Sequence, residues 1–180
     1  MSEHYPRIRI KTADGYTRLR EGLNLTFYLP PRHSQYVEEV LRALDSYLAY
    51  TGADALGAYA DGEGYMQELN AKGWDLVRRK LRERKYPAVI LDDKEPTDAR
   101  YAFHYKGSDE QFIARANKPD AMCEASFWLP TEYLEEHGPG RVRELAVELA
   151  TLLPMRSGFC GLSFNGELDL MGMARKLLPY

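Results

Sequence analysis

Cysteine is nearly missing from this sequence. Cys123 and Cys160 stand alone, without a CxxC spacing. That argues against a disulfide framework and a thiolate zinc site. Each cysteine falls in a predicted strand, so two buried free thiols are expected. Long apolar runs are missing too, since no stretch approaches the ~20 apolar residues of a membrane span. The opening residues include Glu3, His4 and Arg7 and no apolar run, so no signal peptide is expected. A reducing cytoplasm suits these absences. Basic excess is also lacking: Lys and Arg total 24 against 27 for Asp and Glu, a net charge of −3. This argues against a general nucleic-acid binder and leaves room for a local basic patch.

Catalytic signatures are scarce as well. There is no GxSxG elbow and no Walker-type loop. Gly62 and Gly64 form a local Gly-x-Gly, but no third glycine opens a helix there. Ser157 and Ser163 have no base nearby in sequence. The histidines are His4, His33, His104 and His137, and none has an i, i+4 partner of the HExxH kind. Asp92-Asp93-Lys94-Glu95 follows an apolar strand, a place where metal-dependent nucleases put carboxylates. Here the acids are bunched in a loop that ends at Pro96, rather than spread over adjacent strands, which favours a solvated turn or an acidic partner-binding patch. No metal or cofactor is expected.

What the chain does contain is a repeated cassette. Thr26-Phe27-Tyr28-Leu29-Pro30 returns a hundred residues later as Ser126-Phe127-Trp128-Leu129-Pro130. An amphipathic helical stretch and a Gly-flanked strand follow each copy: Gly57-Ala58-Tyr59-Ala60-Asp61-Gly62, then Gly161-Leu162-Ser163-Phe164-Asn165-Gly166. The period is too long for a solenoid. It predicts two related β-α-β units, approximately residues 1–95 and 96–180, within a single domain over 1–180. A chain of this size buries roughly 70% of its unfolded surface. Its 44% hydrophobic and 28% charged content is ordinary for a globular protein.

The periodicity supplies the elements. Arg7 to Lys11 alternates as a half-buried strand, and Gly15 marks a turn. Leu23 to Leu29 is a strand, hairpin-paired with the first and ended by Pro30-Pro31. Ser34 is placed as the cap of a helix whose stripe is Val37, Val40, Leu41, Leu44, Tyr47 and Leu48, with His33 a second capping candidate. Thr51-Gly52 stops it. Leu56 to Ala60 is a strand, and Asp61 to Gly64 a loop. A second helix runs from about Asn70 to Lys85. Ala88 to Leu91 has the apolar run of a strand buried on both faces, and Tyr101 to Tyr105 alternates. After a polar stretch from Ser108 to Pro119, a strand from Cys123 leads into a helix capped by Thr131. His137-Gly138-Pro139-Gly140 breaks that helix, which resumes through Val142 to Leu152. Phe159 to Phe164 is a closing strand, and Leu168 to Leu178 a final apolar helix. The predicted class is α+β, a mainly antiparallel sheet with helices on one face, built from two split β-α-β (ferredoxin-like) halves.

Two features bear on binding. Arg78, Arg79, Lys80, Arg82, Arg84 and Lys85 make the second helix strongly basic, and such a run either tracks phosphates or is a solvated face. The chain also carries thirteen tyrosines, six phenylalanines and two tryptophans. Phe27, Phe127 and Trp128 belong to the core by their strand positions. The remaining aromatics point to a protein-binding surface, because Tyr and Trp bury rigid area while keeping a polar handle.

The segment Ser126-Phe127-Trp128-Leu129-Pro130-Thr131-Glu132-Tyr133-Leu134-Glu135-Glu136-His137-Gly138-Pro139 is the most distinctive in the chain. With Leu152-Leu153-Pro154, Ser157-Gly158 and Gly161-Leu162-Ser163-Phe164 it resembles the TsiV-like type VI immunity family, and Leu25 to Leu29 fits that family's N-terminal strand. The matching parts span about Leu23 to Phe164. The resemblance implies a non-enzymatic bacterial immunity protein. It would act in the cytoplasm, binding and neutralising one cognate type VI effector toxin, expected to be a nuclease, one to one. Family members continue past the apolar helix, whereas this chain stops at Leu178-Pro179-Tyr180, so contacts of a longer C-terminus do not carry over.

The shared motif is scaffold, so the working surface is sought outside it. A toxin-specific surface needs charges and aromatics on loops. The candidates are Asp61, Glu63 and Tyr65; Asp92, Asp93 and Glu95; and Asp109 and Glu110. Their acids would match the basic substrate cleft of a nuclease and block entry to it. The alternative is a nucleic-acid-binding module that uses the basic helix over residues 78–85.

Overall fold

The structure, a computed structural model, describes residues 5, 7–13, 15, 17–94, 98–110 and 121–166. Its centre is β2 (Thr17–Leu29). Leu23, Leu25, Phe27 and Leu29 alternate onto one side and are buried, while Asn24, Thr26 and Tyr28 point to the other. On one edge β2 pairs with β1 (Arg9–Lys11) and then with β7 (Cys123–Pro130); it also pairs along most of its length with β8 (Ser157–Gly166). Beyond β7 follow β6 (Ala102–Lys106), β5 (Ala88–Asp92), β3 (Ala58–Ala60) and β4 (Met66–Glu68). Every pairing in this eight-stranded sheet is antiparallel.

Three helices among the described residues cover one face: α1 (Val37–Thr51), α2 (Ala71–Glu83) and α3 (Thr131–Leu152). The core lies between, with Leu25, Phe103, Phe127 and Leu129 of the sheet against Leu44, Tyr47, Leu81, Leu145 and Leu149 of the helices, all essentially inaccessible. Burying each such side chain contributes roughly 1.5–3 kcal/mol. The Tyr47 hydroxyl ties α1 to the sheet by donating to the Trp128 carbonyl at 2.5 Å. The α3 helix bends at Gly138, whose φ of 76° suits glycine, and Pro139 restarts it. This is the break predicted at His137 to Gly140.

Both cassettes lie in the middle of this one sheet and pair with each other, Thr26 opposite Ser126. The second crossover, β7–α3–β8, flanks β2 with two parallel strands, a split β-α-β. The first, β2–α1–β3, spans three intervening strands.

One-sided helical cover accounts for several departures from the sequence expectations. Ala88 to Asp92 is half-buried, because Ile90 faces away from α1, α2 and α3. Cys160 is exposed, not buried, because β8 lies beyond the helices; only Cys123 is a buried thiol. Ser34 does not cap α1, whose first turn follows Tyr36 without a side-chain cap. Ser34 instead bonds Asp109. Nor is His33 a cap: it is buried, with Nε2–H donating to the Leu81 carbonyl and Nδ1 accepting from the Tyr105 hydroxyl, each at 2.8 Å. Thr131 turns its hydroxyl to Glu21 rather than to the backbone of α3. The three-residue β4 was not foreseen, since Met66-Gln67-Glu68 has no apolar alternation. His4, Glu95, most of the 108–119 stretch and the helix expected over 168–178 lie outside the described residues.

Candidate partner-binding surface

Strand register sorts the candidate residues by position. At one end of the sheet β2 and β6 finish and β5, β7 and β8 begin. This end carries Asp109 and Glu110, and the turn between β3 and β4 also opens toward it. Asp92 and Asp93 lie at the opposite end, where β5 finishes.

Asp61 builds its own turn. Its Oδ1 accepts the backbone N–H of Glu63 at 2.9 Å and of Tyr65 at 3.0 Å, and Oδ2 accepts Gln67 Nε2 at 2.9 Å. The Glu63 N–H, then Gln67 and the other turn amides, hold its carboxyl below the usual range. Gly64 permits the turn with φ of 91°. Glu63 is exposed on this tip, and Tyr65 is 66% exposed. Asp109 accepts from the Ser34 amide and hydroxyl at 3.2 and 3.1 Å, and Glu110 pairs with Arg32 at 2.6 Å. These two acids therefore fasten the segment after β2 and are not free charges.

At the opposite end Asp92 lies on the face turned away from α1, α2 and α3, 3.7 Å from His104 Nε2. Asp93 is buried, with Oδ2 accepting the Arg100 amide at 2.8 Å and Oδ1 unpartnered among the described residues. Burial, reinforced by Asp92 and Asp98, pushes its carboxyl up to about 6. The candidate acids thus form no single patch.

The basic helix divides into two sets of cations. Arg78 and Arg82, one turn apart, reach α1 and pair with Asp45 at 2.8 Å and Glu38 at 2.7 Å. Arg79, Lys80, Arg84 and Lys85 form no ion pair among the described residues. They border two neighbouring clefts. A cleft of about 320 Å³ lies between α2 and the β3–β4 turn, lined by Tyr59, Asp61, Leu76, Arg79, Lys80 and Arg84. Another of about 370 Å³ lies between the end of α2 and residues 31–35, and includes Lys85, Tyr86 and Glu110. Burial and the neighbouring Arg84 hold the Lys80 ammonium below its usual range, against the pull of Asp61.

Sequence reasoning missed a buried ion network. Arg20 is inaccessible, and its guanidinium donates to the Asp98 carbonyl at 2.9 Å and to Glu132 at 2.6 Å. Glu132 also binds Arg9, which in turn pairs with Glu21 at 3.0 Å. Burial works to raise the Glu21 carboxyl, but hydrogen bonds from Arg9 and the Ile8 amide hold it low. The network pins the β5–β6 connection to the start of α3. Its signal in the sequence is the adjacent opposite charges Arg20-Glu21 within β2. Among the described residues no group of His, Cys, Asp and Glu is placed to hold a metal ion.

With this geometry in view, comparison with known proteins is informative. A family model, TsiV, described as type VI immunity for VRR-NUC, matches residues 39–177. Among solved structures, the Pseudomonas aeruginosa T6SS protein PA0821 superposes with a TM-score of 0.70 at 17% identity, over 92% of this chain and 48% of that one. At that identity the likeness speaks for the fold alone, and this chain spans about half the length of that structure. No curated protein matches. No helix among the described residues is long and apolar enough to cross a membrane.

Proposed function

We propose, on the premise that this chain belongs to the TsiV family of type VI immunity proteins, that it neutralises one cognate VRR-NUC toxin by binding it one to one and covering its active or substrate-binding site. The match over residues 39–177, from α1 through β8, carries this reading. No chemistry of its own is required. The chain acts in the cytoplasm, where a nuclease toxin meets nucleic acid. A specific interface of ordinary size takes about 800 Å² from each partner, roughly 7% of the 11468 Å² surface here. The surface proposed for this is the end carrying Asp61, Glu63 and Tyr65, with Asp109 and Glu110 at its margin.

Co-expression of the chain with candidate VRR-NUC toxins from the same genome tests the reading. Restored growth and a co-purifying equimolar complex are expected. Continued toxicity with no complex overturns it.

A further inference from the structure

The cations of α2 are used unequally. Arg78 and Arg82 are satisfied by acids of α1. The other four are not, and they sit close enough together that Lys80 and Arg84, one turn apart, repel each other. A fold left to itself relieves such crowding with nearby acids, yet Asp61 is engaged in its turn, Asp109 with Ser34 and Glu110 with Arg32, and Glu83, which lines both clefts, forms no ion pair with these cations among the described residues. The same cations flank two clefts that meet at Arg84. Large exposed side chains stand beside them, Tyr65 on the hairpin and Tyr86 just past α2. Tyrosine and arginine around concave pockets, with cations outnumbering acids, is the composition of an interface centre rather than of a solvated helix.

We infer that Arg79, Lys80, Arg84 and Lys85, with Tyr65 and Tyr86, form the docking surface for a carboxylate-rich patch on a protein partner. Charge complementarity selects that occupant. Four cations that form no ion pair among the described residues gain ion pairs on contact with an acidic surface, and the flanking clefts shield those pairs from water and salt. A continuous polyanion such as duplex DNA fits less well, because Asp61, Glu63, Glu83 and Glu110 are interspersed among the cations. The inference rests on the reading that the partner is the toxin. It reverses the charge sense expected from the sequence, in which acidic loops of this chain would match a basic cleft.

The test measures affinity for the toxin by calorimetry, with the chain of residues 1–180, its R79E/R84E/K85E variant and a D92N control at the opposite end of the sheet. All substituted positions are at least partly exposed, and matching melting curves confirm that each variant is folded. The charge reversal is expected to weaken binding by at least a hundredfold and to flatten its salt dependence, while the control stays within threefold of the parent. Milder neutralisation in R84Q/K85Q should give an intermediate loss. Unchanged affinity in the charge-reversed variant overturns the inference and leaves the immunity function standing. Duplex DNA held by the parent at physiological salt and released by the same variant also overturns it, in favour of a nucleic-acid site. A parent chain that binds no toxin removes the functional reading itself, and this inference with it.

Discussion

The side-chain oxygens of Thr26 and Ser126 lie 2.7 Å apart across the β2–β7 pairing, on the face of the sheet turned away from α1, α2 and α3. These are the first residues of the two sequence cassettes. The resemblance between copies is thus also a contact between copies. Thr26 Oγ1 also lies 2.8 Å from Asn24 Oδ1 and Ser126 Oγ 3.1 Å from Glu124 Oε1; with one proton each, one hydroxyl donates to the other, which donates on along its own strand, a short polar chain.

That contact predicts coupling. Thr26→Val and Ser126→Ala should each destabilise the fold modestly, with the double variant losing less than the sum. A cycle of four urea melts is expected to return an interaction of about 0.5–1.5 kcal/mol. Strict additivity would show that the two hydroxyls do not act together.

Gly22 offers a sharper test. It is the β2 residue opposite Pro130, and a Cβ there would stand 2.5 Å from both the Leu129 carbonyl oxygen and a ring carbon of Trp128. Backbone and a buried indole cannot both move aside. Gly22→Ala should therefore destabilise by about 1–3 kcal/mol, seen as a lower urea midpoint at unchanged slope.

Arg20 is the buried half of an ion pair whose partner, Glu132, is about one-third exposed. Arg20→Leu strips a donor from the Asp98 carbonyl and leaves Glu132 to Arg9 alone. Removing one member of a buried pair destabilises by roughly 3–5 kcal/mol, and the surviving Arg9 contact puts the expected loss at the lower figure. The released β5–β6 connection should become a trypsin site at Lys94 or Arg100. A melting curve and a timed digest check both effects.

Asp93 makes stability fall as pH rises. Burial lifts its carboxyl from 3.8 to about 6. Between those values the folded state binds the proton more tightly than the unfolded chain, so raising the pH through this window removes stability. The shift corresponds to roughly 3 kcal/mol when complete. Asp93→Asn keeps an acceptor for the Arg100 amide and should stabilise the protein above pH 6 while changing little below pH 4. His33 acts in the opposite sense. Burial lowers its pKa, so its contribution is present above the ordinary imidazole value of 6.5 and is lost as the pH drops through the lowered one. In His33→Gln the acid-side loss should shrink, as urea melts from pH 4 to 8 would show.

The strands and helices were legible because their signals are local. Alternation marked β2 and β6, the 3.6-residue stripe marked α1, and Gly138-Pro139 marked the bend in α3. Burial was less legible, because it depends on which face the helices choose. Ile90 and Cys160 sit in apolar runs, yet both are exposed, one on the face turned away from α1, α2 and α3 and one on an edge strand. The candidate surface was harder still. Asp61, Asp109 and Glu110 are acidic in sequence, but turn amides, Ser34 and Arg32 engage them in space. Likewise nothing in the run from Arg78 to Lys85 tells which cations meet Asp45 and Glu38, since those acids lie on α1 more than thirty residues away.

The placement of β2 governs the order in which this molecule assembles. It emerges within the first thirty residues, yet β7 and β8, its main neighbours, lie about a hundred or more residues later. Until Cys123–Pro130 and Ser157–Gly166 have been synthesised, a strand bearing Leu23, Leu25, Phe27 and Leu29 waits with little to pair with. Such distant pairing folds slowly and leaves an open edge exposed to other chains meanwhile. On the function proposed above, the interval between synthesis and closure of the sheet is a period without protection from the toxin.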